Sequence, residues 1–210
     1  MSKGEKTRQC IIEKAAPIFN VKGIAATSVE EVLHSAKVTR GCLYSHFETK
    51  EDLAASCVDY LLQVSSDTQK EVLGKQHAAK DKLFAYMDMA KNPLKSLFDG
   101  GCPIANLSTE ADDTLPAVNK KVKKHIEAQI DLLTGLLEEG IRSGEFSADL
   151  IPEEYATKMF AAIEGANIIC RVKNTVRPMQ IIIKGFKREL ECYCVNASTK
   201  DFNSTLNDKI

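Results

Sequence analysis

Apolar residues recur along this chain at the spacing of helix faces, and no stretch alternates in the manner of a strand. Ile11, Ile12, Ala15 and Phe19 form one stripe and predict a helix over Thr7 to Lys22, stopped by Gly23. Leu83, Phe84, Met87 and Ala90 mark another over Lys80 to Lys91, closed by Asn92 and Pro93. Gly100, Gly101 and Pro103 break the pattern before a short helix from Ile104 to about Asp112. Val118, Val122, Ile126, Ile130, Leu133, Leu137 and Ile141 then keep one face and predict a long helix to Arg142, ending at Gly144. The segment from Pro152 to about Lys173 is apolar nearly all round, so it needs cover on several sides. Pro178 starts a last helix with Met179, Ile182, Ile183, Phe186, Leu190 and Tyr193 on its face.

Residues 27 to 53 carry three helix starts in quick succession. Thr27 with Glu30 three residues on predicts a capping box and a helix over about Ser28 to Ser35. Thr39 is an N-cap for a second, short helix in which Leu43 and Phe47, at i and i+4, share a buried face. Thr49 caps a third helix running to about Leu73, with Asp52 in its first turn where the dipole favours negative charge. Two helices joined by a tight turn, the second short enough to enter a groove, describe a helix-turn-helix.

With Leu43 and Phe47 inward, the rotation of about 100° per residue turns Gly41 and Ser45 outward, flanked by Cys42 and Tyr44. Small outward residues let the backbone approach base edges, and a guanidinium at the helix start suits a guanine O6/N7 pair. Thr39, Arg40, Gly41 and Cys42 are therefore the expected base readers. Ser28, Tyr44, His46 and Lys50 are the expected phosphate contacts, unless Tyr44 and His46 complete the small core instead, and Thr27 and Ser45 are expected with them on the DNA-binding surface.

The same segment resembles the TetR family of transcriptional regulators, through Thr27 and Ser28, then Leu43, Tyr44, His46 and Phe47, then Lys50, Glu51, Asp52 and Leu53. Gly100 to Pro116, GGCPIANLSTEADDTLP, resembles a segment of the body in one subgroup of that family. This chain departs from the family pattern at Leu33, where a small alanine is usual, and at Lys37, where a turn glycine is usual. Lys37 should cost on the order of 1 kcal/mol if the left-handed turn is kept.

The resemblance implies an all-α fold: an N-terminal three-helix head on a larger helical body that binds a ligand and dimerises. The expected division is 1–50 for DNA binding, 51–195 for effector binding and dimerisation, and 196–210 as a polar tail. The family body pairs its last two helices with those of a second copy, and the small residues Ala161, Ala162, Gly165 and Ala166 would allow a close approach there. It also holds a small effector whose binding releases a near-palindromic double-stranded operator. Phe84, Met87, Cys102, Asn106, Phe160, Glu164 and Asn167 are the expected lining.

Cys102 follows two glycines and opens a helix, a position where the dipole lowers a thiol pKa. It is thus a candidate sensor of electrophiles or oxidants, against the alternative of a small buried hydrophobe. Another alternative, suggested by Leu33 and Lys37, is a ligand-binding dimer whose operator recognition has degraded.

A net charge of −1 does not by itself suggest a nucleic-acid partner. Residues 1–50, however, hold eight Lys/Arg against five Asp/Glu, leaving 20 against 24 for the rest. A basic head on an acidic body suits contact with phosphates at one end. No apolar run approaches a membrane span and residues 1–10 lack a signal-peptide core, so a cytoplasmic protein with no membrane partner is expected. The seven cysteines, without CxxC spacing, read as reduced thiols. There is no phosphate-binding glycine loop. His34, His46, His77 and His125 are not spaced as metal ligands, and no nucleophile can be named with its base. An enzyme, a metal site or a cofactor is therefore not expected.

Overall fold

The computed structural model describes residues 1–195, so the tail expected at 196–210 lies outside the described residues. Nine helices run through the described residues: α1 (Lys3–Lys22), α2 (Val29–Ala36), α3 (Arg40–Tyr44), α4 (Lys50–Leu73), α5 (Ala79–Met89), α6 (Pro103–Ala111), α7 (Pro116–Arg142), α8 (Pro152–Val172) and α9 (Arg177–Cys192). A single 3₁₀ turn, Pro93–Lys95, lies between α5 and α6. An isolated bridge between Phe146 and Cys194 stands in for any strand among the described residues.

Local chemistry sets the starts of these helices. α1 begins four residues before the expected Thr7, because Ser2 and Glu5 cap each other: Glu5 N donates to Ser2 Oγ at 3.2 Å and Ser2 N to Glu5 Oε2 at 2.6 Å. At α2 the capping box is shifted by one residue from the expected Thr27 and Glu30. Ser28 Oγ accepts from Glu31 N at 3.2 Å, while the Glu31 carboxylate accepts from Ser28 N at 2.9 Å. Both pairs satisfy the spacing, and burial decides between them: Thr27 is 1% exposed, with its hydroxyl donating to the Gly23 carbonyl at 2.7 Å. Thr39 and Thr49 cap α3 and α4 as expected, accepting from Cys42 N and Asp52 N.

The head core closes around Phe19, Leu43, Phe47 and Leu53, all buried. Burying a Phe or Leu side chain stabilises by about 1.5–3 kcal/mol, so these four dominate a small unit. The Arg8 guanidinium covers the Phe47 ring at 4.8 Å from its centre. α4 crosses the expected boundary at residue 50. Its start completes the head, where Cys57 Sγ donates to the Ile12 carbonyl at 3.7 Å, and it also packs on α5, α6 and α7.

In the body, α7 is the central helix, packed by α4, α5, α6 and α8, with α9 laid against α8. Val118, Val122, Leu133 and Leu137 are buried as their spacing predicts. Midway along α7 the periodicity gives way: Ile126 and Ile130 are half-buried, while Gln129 is buried. α8 is covered on one side, through Met159, Phe160, Ile163 and Cys170. Its other side leaves Ile168, Ile169 and Val172 exposed, and Ile181 of α9 is exposed as well. No helix among the described residues is long and apolar enough to cross a membrane.

Candidate functional site

The head presents α3 at the end of a left-handed turn. Lys37 adopts φ 55° and ψ 43°, the conformation that a glycine would supply without steric cost. Leu33 is half-buried against the core, and its carbonyl accepts from Val38 N at 3.2 Å. The two departures from the family pattern are thus accommodated within the turn.

Ser28, Thr39, Arg40, Gly41, Tyr44 and Ser45 are exposed; Cys42, His46 and Lys50 are half-buried. Thr27 is the one expected contact that the fold removes from this surface, because its methyl and hydroxyl pack inward on the turn after α1. A side chain at Gly41 would meet nothing within 4 Å, so the backbone there is open to close approach. Tyr44, at 42% exposure, does not complete the core. Ser45 Oγ donates to the Cys42 carbonyl at 2.7 Å, and Lys50 Nζ donates to the Ala25 carbonyl at 3.2 Å.

Arg40 is not free. Its guanidinium pairs with the carboxylate of Glu30 on α2, drawing the side chain across the turn. Exposed pairs of this kind contribute about 0–1 kcal/mol, so the contact positions Arg40 without locking it. Beside it, Lys22 pairs with Glu31 and, with the Ser28 amide, brings the Glu31 carboxyl down to about 2.

Behind the head, the body forms a cavity of about 440 Å³, bordered by α4, the end of α5, the 3₁₀ turn, the start of α6, α7, α8 and the start of α9, and open to solvent beside Lys95, Ser96 and Leu97. Cys102, Phe160, Glu164 and Asn167 line it, as expected. Phe84, Met87 and Asn106 do not. Met87 is fully buried in the core. Phe84 lies between the ammonium groups of Lys80 and Lys187, 5.3 and 4.8 Å from its ring centre. Asn106 is used structurally: its amide donates to Asn20 O, Asn20 Oδ1 and Gly100 O at 3.0–3.2 Å.

Gln69, Tyr86, His125 and Gln129 also line the cavity and were not among the expected residues. The signal that could have found Gln69 and Gln129 is a polar residue four positions before a core leucine, Leu73 and Leu133.

Burial governs the titration of this lining. Cys102 caps α6, where the amides of Ile104 and Ala105 do lower its pKa, yet burial and then Glu164 push the thiol up to about 12. The expected lowered thiol pKa is therefore reversed, because desolvation of the thiolate exceeds the benefit of the helix end. Burial likewise raises Glu164 and Tyr86 and lowers His125.

The cavity and the head meet through α6. Its start, Cys102 to Ile104, is cavity wall. Its last turn carries Glu110, whose carboxylate accepts from Ile24 N at 2.8 Å and Ala25 N at 2.6 Å, the turn leading into α2. A second fastening lies alongside: the buried Asn20 amide donates to Asp99 O at 2.6 Å and Gly101 O at 3.1 Å. Gly100, at φ 89°, is required there, since a Cβ would stand 2.7 Å from the Asn20 carbonyl oxygen.

Both halves of the chain match known families. Residues 11–57 match the family described as bacterial regulatory proteins, tetR family, and residues 79–186 match the tetracyclin repressor-like C-terminal domain. The HTH-type transcriptional repressor DhaR of Mycobacterium sp. (strain GP1) is 24% identical over 173 residues, spanning 82% of this chain and 86% of its own. A TetR-family transcriptional regulator of Cytophaga hutchinsonii has a crystal structure that superposes with a TM-score of 0.88 at 32% identity, over 93% of this chain and 98% of that one. A TetR transcriptional regulator from Chloroflexus aurantiacus gives 0.87 at 28% identity, over 92% and 98%. With its reading head and its cavity-bearing body each matched, and a relative at 32% identity covered almost end to end, this chain belongs to the TetR family of transcriptional regulators.

Proposed function

We propose that the chain is a ligand-responsive repressor that binds a near-palindromic operator as a homodimer and leaves it when a small molecule fills the cavity. The observation that carries this reading is α6, which forms cavity wall at one end and holds the Ile24 and Ala25 amides through Glu110 at the other. A ligand that prefers one position of α6 weakens DNA binding by its differential affinity for the two states, and by no more than that.

On DNA, Thr39, Arg40, Gly41 and Cys42 read base edges, while Ser28, Tyr44, Ser45, His46 and Lys50 meet the backbone. The outward position of Gly41 and the exposure of Tyr44 support that division. The exposed apolar side of α8, Ile168, Ile169 and Val172, with Ile181 of α9, supports pairing with a second copy. Two heads would then stand one DNA turn apart, about 34–36 Å, or a multiple of it. The name of DhaR, a transcriptional repressor, supports repression as the sign.

Footprinting on the DNA around its own gene, with sedimentation of the free protein, tests this reading. Two symmetric protected half-sites and a dimer are expected. A monomer, or binding with a steep salt slope and no sequence preference, would sink it.

A further inference from the structure

Three side-chain polar atoms are buried without a hydrogen-bond partner among the described residues: Gln69 Nε2, Glu164 Oε2 and Asn167 Oδ1. All three residues line the same cavity, the one of about 440 Å³ bordered by Cys102 and Phe160. A buried polar group left unmatched costs about 1–3 kcal/mol, and more when charged, so three at one cavity describe what an occupant must supply.

The pattern is directional. Glu164 and Asn167 stand at i and i+3 on α8, so their unmatched acceptors share one side of that helix. The other Glu164 oxygen already accepts from Cys102 Sγ at 3.5 Å. Across the cavity, Gln69 on α4 offers an unused donor.

No protein cation answers the Glu164 carboxyl. None of the ion pairs among the described residues includes it. Lys95 lines the cavity but is exposed, and burial disfavours the charged form of His125. Cys102 and Tyr86 are held in their neutral forms. Arg171, one turn beyond Asn167, bonds the Pro93 carbonyl at 3.3 Å and packs over Gly101. The rest of the wall combines apolar and aromatic side chains, including Val72, Phe98, Phe160, Ile163 and Met179, with the neutral polar Ser65, Thr68, Asn92, Ser96 and Gln129.

We infer that the cavity takes an organic cation, a protonated amine or amidine on an apolar body, whose N–H groups bond Glu164 Oε2 and Asn167 Oδ1 while an acceptor at its far end meets Gln69 Nε2. This rests on the proposed role of the cavity as the effector site, and it specifies the class of effector. A neutral alcohol, with a single O–H, could answer one of the two acceptors but not both. The ammonium also supplies a charge that favours the ionised form of Glu164 against the cost of its burial, and charge-assisted bonds are about twice as strong as neutral ones.

Calorimetry on the full chain with three probes that share one body, phenylbutylamine, phenylbutanol and phenylbutyrate, separates the possibilities. The amine is expected to bind about tenfold or more tighter than the alcohol, and the carboxylate weakest. Glu164→Gln, which keeps shape and removes charge, should abolish the advantage of the amine over the alcohol. Equal affinities for amine and alcohol, or preference for the carboxylate, would overturn the cation assignment while leaving the cavity as a ligand site. Binding of none of the three would overturn both. The comparison on the unaltered chain decides the matter even if the variant does not fold.

Discussion

Glu110 closes the distance between body and head with a single carboxylate, accepting from Ile24 N at 2.8 Å while its second oxygen accepts from Ala25 N at 2.6 Å. Both amides belong to the segment between α1 and α2, and neither has a backbone acceptor. The side chain on α6 thus supplies acceptors that the head's own backbone does not.

Glu110→Ala should lower unfolding free energy by about 1–3 kcal/mol, since two backbone donors lose a charged acceptor but one of them can turn to water. Denaturant unfolding measures the change, and hydrogen exchange should accelerate at Ile24 and Ala25 ahead of the rest of the head. Unchanged exchange at both amides would show that the contact carries no load.

Lys37→Gly removes a side chain from the left-handed position at φ 55°. Stability should rise by about 0.5–1 kcal/mol, the strain released less the entropy gained by the unfolded chain. If the ammonium also meets a phosphate, the salt slope of operator binding falls by about one counterion in the same variant. Thermal unfolding and binding at two salt concentrations report the two effects separately.

Arg40→Ala and Tyr44→Phe should differ in kind. Loss of a base-reading guanidinium costs about 1–3 kcal/mol at the cognate site and relaxes preference at one position of each half-site. Loss of the tyrosine hydroxyl weakens binding to all sequences alike. Binding to a set of operators with single substitutions distinguishes them, and a changed preference for Tyr44→Phe would remove it from the phosphate contacts.

Glu164 makes stability depend on pH in a defined sense. Burial raises its folded pKa above the ordinary value, so its contribution is fully present below the ordinary carboxylate range and is lost as pH rises through the folded value. Glu164→Gln lacks that loss. Thermal midpoints of the ligand-free protein and this variant from pH 4 to 8 should therefore diverge, the variant becoming relatively more stable toward high pH. Parallel curves would contradict the burial of the charge.

Much of this could be read in advance wherever a residue's neighbours in sequence decide its place. Thr39, Thr49, Leu43 and Phe47 fall where capping and period require, because their partners lie within one turn. Thr27 and Ser28 compete for one cap on equal local terms, and only packing against Gly23 separates them. Of the expected lining, Cys102, Phe160, Glu164 and Asn167 border the cavity, but Asn106 is used by Asn20, 86 residues away. The thiol of Cys102 shows the same limit: its helix end is visible in sequence, whereas Glu164, 62 residues on, is not.

The pairing of Arg40 with Glu30 gives this head an internal competitor. In the proposed reading, any base pair that Arg40 recognises must offer it more than the carboxylate it leaves behind. Sequences that offer less find the arginine still turned toward its own protein. Selection among sites thus begins with a contact that involves no nucleotide, and replacing Glu30 would alter how strict the protein is without touching the surface that reads.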